Sequence, residues 1–154
     1  MDGFLLSTAE KIPFKHSQPG FESIRQQMKK VAQLYSGKTG KTIATLIAQG
    51  QIDQELAEEF RNRYILPRRT EARIALEAAI QAGELDSQIN IETTIDALYG
   101  SLFYRLLVGH GPIDEEFVDS LADHVLGGIR KRIEEGSPDE KNFTAMHENV
   151  VAST

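Results

Sequence analysis

The stretch NIETTIDALYGSLFYRLLV, Asn90 to Val108, decides the fold. Asn90 has the side chain of a helix cap, and Ile91, Ile95, Leu98 and Leu102 then return every three or four residues on one stripe. Tyr99, Phe103 and Leu106 make an adjoining stripe. An apolar arc this wide gives the helix two jobs, one stripe for the core and one for something else. No run of four residues here or elsewhere alternates as a strand would, so the chain is all-α.

Upstream of this helix, Asp53 is a good cap, and Leu56, Phe60 and Tyr64 follow on one stripe. Pro67 interrupts, and Ala72, Ala75, Leu76, Ala79 and Ile80 carry the pattern on to Gly83. A kinked helix is expected from about residue 53 to 82. Before it, Thr42 to Gln49 reads as a short helix with Ile43, Leu46 and Ile47 on one side, closing at Gly50. Phe21, Ile24, Met28, Val31 and Tyr35 step by three and four along an amphipathic helix that Gly37 terminates. Phe4, Leu5 and Ala9 read as a first helix ended by Ile12-Pro13. Downstream, Asp114 caps a helix with Glu115 and Glu116 in its first turn and Phe117, Leu121, Val125, Ile129 and Ile133 at spacing four. Ser137-Pro138-Asp139-Glu140 is a capping box for a short tail helix with Phe143, Met146 and Val150. Residues 1–136 are thus expected to form one helical domain and 137–154 a tail.

At 154 residues with no cysteine, the chain can bury a real core but forms no disulfide and offers no thiol chemistry. A net charge of -6 repels a phosphate backbone over the surface as a whole, which makes nucleic acid an unlikely direct partner. The apolar runs are far shorter than the roughly 20 residues that span a bilayer, and no leader opens the chain. A cytoplasmic protein without a membrane partner is expected.

Gly37-Lys38-Thr39-Gly40-Lys41-Thr42 ends like a phosphate-binding loop but fails on spacing, since the first glycine of such a loop would fall at Tyr35. His16, His110, His124 and His147 show no pairing at metal-ligand spacing. The acids sit at helix starts and on polar faces. No catalytic residue, metal site or cofactor is expected. Arg61, Arg63, Arg68, Arg69 and Arg73 straddle Pro67 with Glu58, Glu59, Glu71 and Glu77 interleaved, which reads as a solvated face. Phe60, Tyr64, Tyr99 and Phe103 suit either the core or the lining of a pocket between helices.

From Tyr64 to Val108 the sequence resembles the C-terminal domain of TetR-family repressors. The carriers are Pro67-Arg68-Arg69 on a long helix, the turn Ala82-Gly83-Glu84-Leu85, and Leu98-Tyr99-Gly100-Ser101-Leu102-Phe103-Tyr104-Arg105-Leu106-Leu107. The likeness continues from Asp114 to Ile129 with its pair Leu126-Gly127, and Met1 to Leu6 resembles the start of the first helix after a DNA-binding head. Two departures stand out. Ser101 occupies a position where the family usually has proline, and the roughly fifty residues of helix-turn-helix are absent from this stretch.

The resemblance implies an effector-sensing, non-catalytic domain of a transcriptional repressor that forms a homodimer and reaches DNA only through an N-terminal head. It implies an interface in which the last two large helices meet their copies across a two-fold axis. Tyr99, Gly100, Tyr104, Leu107, Phe117, Leu121, His124, Val125 and Gly128 are its expected members, with Gly127 also allowing close approach. A small apolar effector is expected among Tyr35, Leu46, Phe60, Tyr64, Leu98 and Phe103. The alternative is a headless module that pairs with itself or with a full-length regulator and binds no small ligand.

Overall fold

Three side-chain caps start helices where the sequence places them. Asp53 accepts from the Leu56 amide, Asn90 from that of Thr93, and Asp114 from that of Phe117. Each satisfies one of the amides that a helix start leaves without a partner. The computed structural model describes residues 20–129. The expected first helix at Phe4–Ala9, His16, the basic pair Lys131 and Arg132, and the tail from 137 lie outside the described residues.

Within them the elements are α1 (Gly20–Tyr35), α2 (Lys38–Gly50), α3 (Gln54–Phe60), a π-helical turn (Arg61–Ile65), α4 (Leu66–Gln81), α5 (Ile91–Val108) and α6 (Glu115–Gly128). The fold is all-α, with no strand among the described residues. α1 is the hub. It packs against α2, α4, α5 and α6, and so buries Ser23, Ile24, Gln27, Met28, Val31, Ala32 and Tyr35 on more than one side. Where α1 begins it touches α4 so closely that a Cβ on Gly20 would lie 2.3 Å from the Ala75 carbonyl oxygen.

The long helix is interrupted earlier than Pro67 itself. The backbone stays right-handed helical from Phe60 through Leu66, but at residues 61–65 it widens, and the Leu66 amide donates to the Arg61 carbonyl five residues back. The physical reason is proline, which has no N–H and whose ring clashes with the carbonyl four residues before it. One wide turn passes that point without breaking the rod.

α2 also differs from expectation. It starts at Lys38, capped by the backbone at Gly37, and leaves only Ser36 and Gly37 between helices. Most of the glycine- and lysine-rich segment is therefore helix. Gly40 makes this possible, because a Cβ there would sit 1.9 Å from the Tyr35 carbonyl oxygen.

Two ion-pair clamps tie the rods together. Arg25 on α1 reaches Asp119 at 2.8 Å and Asp123 at 2.7 Å on α6, with Lys29 3.1 Å from Asp119. Arg69 on α4 reaches Glu92 at 2.6 Å and Asp96 at 2.5 Å on α5, and Arg73 also pairs with Glu92. Hydrogen bonds from these cations hold the Asp119 and Glu92 carboxyls below their ordinary range. At the far end, the Asp86 amide donates to the Ile129 carbonyl at 2.9 Å, which fastens the α4–α5 connection to the end of α6. No helix among the described residues is long and apolar enough to cross a membrane.

Candidate functional site

Three ladders with a step of four residues converge in the interior. Gln27, Val31 and Tyr35 climb one face of α1; Ile95, Tyr99 and Phe103 climb one face of α5; and Tyr64-Ile65 is followed one turn later by Arg68-Arg69. A helix returns to the same face after about four residues, so each ladder presents a flat wall. Between the three walls lies a cavity of about 60 Å³.

The wall is mostly apolar, but its polar groups are specific. The Tyr35 and Tyr64 hydroxyls share a buried hydrogen bond of 2.7 Å. Tyr99 donates to Gln27 Oε1 at 2.5 Å, across the gap between α5 and α1. Burial pushes all three phenols above their ordinary pKa, so they remain neutral hydroxyls at physiological pH. The Tyr35 and Phe103 rings meet at 5.7 Å between centroids.

Arg68 brings a positive charge to this wall. Burial lowers its pKa, against the pull of the three tyrosines and of Glu71 one turn along α4. Its neighbour Arg69 spends its guanidinium on Glu92 and Asp96, whose hydrogen bonds raise its pKa. Among the described residues, the wall contains no carboxylate.

A second feature lies on the other side of α5. Tyr104, Leu107 and Val108 are exposed, with Tyr104 61% and Val108 60% open to solvent. Gly100 beside them has open space where a side chain would stand, as do Gly127 and Gly128 at the end of α6. Helices with bare glycine and protruding apolar side chains offer a surface on which another helix packs closely.

A family model for the tetracyclin repressor-like C-terminal domain matches residues 22–125, which takes in every element described above except the first residues of α1 and the last of α6. The chain belongs to the TetR family of transcriptional regulators. It is 35% identical over 130 residues to the uncharacterized HTH-type transcriptional regulator YdeS of Bacillus subtilis (strain 168), across 84% of this chain and 66% of that protein. This chain therefore spans just under two thirds of the length of that relative. The crystal structure of the TetR family transcription regulator SCO0332 is similar to it with a TM-score of 0.78 at 25% identity, over 83% of this chain and 71% of that one.

In this TetR-family domain, three of the six residues expected around an effector meet at the cavity: Tyr35, Tyr64 and Phe103. The others do not. Leu98 is one position from Tyr99 and so turned about a quarter of the way round α5, into the core. Phe60 stacks behind Tyr64 at 5.3 Å, and Leu46 lies on α2, which contributes nothing to the wall. Tyr99, expected on the partner face, points inward instead because its hydroxyl has its partner on α1. The outer stripe of α5 is Gly100, Tyr104 and Leu107, and the expected adjoining stripe of Tyr99 and Phe103 faces the cavity.

On α6, Phe117 is half-buried beneath the Arg105 guanidinium, 3.7 Å from its ring centre, and Leu121 and Val125 are half-buried at the core margin. His124 and Gly128 are exposed, and the His124 Nδ1 lies 2.7 Å from the Ser120 carbonyl. Arg68, read from the sequence as part of a solvated face, is half-buried and borders the cavity. Its signal was present: it stands four residues after Tyr64, on the same stripe.

Proposed function

We propose that this chain is the effector-sensing and dimerisation domain of a TetR-family repressor, a non-catalytic, cytoplasmic protein that acts on DNA through a helix-turn-helix head. One observation carries the reading: α5 bears both features. Its inner side supplies Ile95, Tyr99 and Phe103 to the cavity, and its outer side bears the exposed Tyr104, Leu107 and Val108.

The cavity of about 60 Å³ is small, whereas pockets for drug-sized ligands run from about 300 to 1,000 Å³. An effector of that size fits only as the walls part, and α5 is the wall that also faces the partner. Binding then favours one placement of α5 over another and passes that preference to the interface, which is what coupling between two sites requires. The relatives named as transcriptional regulators agree with a regulatory role.

Sedimentation velocity at micromolar concentration tests the interface. The wild-type chain is expected to run as a dimer and Leu107→Glu as a monomer of unchanged helicity, because a charge at the centre of an apolar contact is left without water or partner. A monomeric wild type overturns the dimerisation reading.

A further inference from the structure

We infer that the cavity takes a neutral, single-ring aromatic carbonyl compound, with its ring among Tyr35, Tyr99 and Phe103 and its oxygen accepting from the spare donors of the wall, the Tyr35–Tyr64 hydroxyl pair and the Gln27 amide. This rests on the effector reading above and names the ligand class. It adds one acceptor oxygen to the apolar effector that the sequence suggests.

A count of donors carries it. Tyr35 and Tyr64 have one hydroxyl proton each, and the single hydrogen bond between them uses one of the two. The other proton meets no acceptor among the described residues. Gln27 is 2% exposed and lines the cavity. Its Oε1 accepts from Tyr99, while its Nε2, with two protons, donates to nothing among the described residues. A buried donor without an acceptor is costly, so a ligand that brings an oxygen is favoured over one of the same shape that does not. Charge argues for a neutral ligand. Arg69 is held outside by Glu92 and Asp96, and Arg68 has an interaction of its own, so the wall presents no unmet cation to an anion. The surrounding rings suit a flat apolar body, since aromatic groups prefer offset or edge-to-face neighbours at the spacing seen for Tyr35 and Phe103. The cavity volume of about 60 Å³ keeps that body to one ring.

The chain supplies its own reporters, because three of its four tyrosines line the cavity. With the tyrosine rings of the full chain labelled with carbon-13, acetophenone and α-methylstyrene are titrated separately and followed by NMR. The two have the same shape, but the second carries a methylene group where the first has its carbonyl oxygen. Both are expected to move the Tyr35, Tyr64 and Tyr99 signals, with acetophenone bound about 10-fold more tightly. Benzoate is expected to bind at least about 10-fold more weakly than acetophenone. Two variants locate the donor. Tyr35→Phe with Tyr64→Phe removes both hydroxyls and leaves neither ring with an unpaired group, and Gln27→Met removes the amide at similar size. The preference for acetophenone is expected to fall to about 2-fold or less in the variant that loses the donor in use.

Equal binding of acetophenone and α-methylstyrene by the wild type overturns the inference even if no variant folds. So does tighter binding of benzoate than of acetophenone, or a preference for acetophenone that survives in both variants. In each case the effector reading stands, because the wall tyrosines still respond. If no ligand at millimolar concentration moves a wall tyrosine, the inference fails and the effector reading loses the cavity as its site.

Discussion

The two sides of α5 break opposite rules. Inside, the cavity keeps three hydroxyls, an amide and two arginines where a core would be apolar; outside, Tyr104, Leu107 and Val108 stand in water where a surface would be polar. Each departure costs free energy in an isolated subunit: buried polar groups must be paired, and clustered apolar surface favours association. Beside the cavity face runs the stripe of Leu98 and Leu102, which is fully buried and conventional. A helix with an ordinary core seam flanked by two unconventional faces is built for more than packing.

The seam should therefore give the largest effect. Leu102 is fully buried, and Leu102→Ala is expected to cost about 2–5 kcal/mol in urea unfolding, at every protein concentration. Leu107→Ala deletes the same atoms from the outer face. Its cost should depend on protein concentration, growing where the chain associates and falling within about 0.5 kcal/mol where it does not. If the two variants lose stability equally in dilute solution, the distinction between seam and outer face is broken.

The cavity side is sharpened by a double-mutant cycle on the Tyr35–Tyr64 pair, whose hydroxyls lie 2.7 Å apart. Tyr64→Phe leaves the Tyr35 hydroxyl without the partner it has here, at a cost of about 1–3 kcal/mol. Removing both hydroxyls should recover much of that loss, since two apolar rings of the same shape leave nothing unpaired. Additive losses would mean that the hydroxyls do not act on one another and that the cavity tolerates lone polar groups.

How much of this was legible depends on whether a feature is set by one helix or by several. The caps at Asp53, Asn90 and Asp114 act within three residues of themselves, and the sequence shows them directly. The seam of α5 follows from its own periodicity. The wide turn at 61–65 is different, because proline announces an interruption but not which neighbouring turn absorbs it. Tyr99 needed its hydrogen-bond partner on α1, 72 positions away, before its face could be assigned. Arg68 was hidden by composition: in a helix crowded with Glu and Arg, a charged residue on the Tyr64 stripe looks like any other. Residue type suggested solvent, while the four-residue step pointed inward, and in this case the step is the better guide.

Arg69 gives the comparison its finest test, because its side chain lines the cavity while its charge is met outside it. Arg69 is held by Glu92 and Asp96, and Glu92 also takes Arg73. The Glu92 carboxyl lies below its ordinary value of 4.5 chiefly through its hydrogen bond from Arg69, then that from Arg73. A depressed carboxylate contributes stability that is complete above its unfolded pKa and lost as pH falls through its folded one. The contribution of Glu92 is thus present at neutral pH and disappears below about 4.5. Glu92→Gln is expected to melt slightly earlier than wild type at pH 7, the two curves converging in acid, and the gap should shrink with added salt because the pair is exposed to solvent. This is the smallest of the expected stability effects.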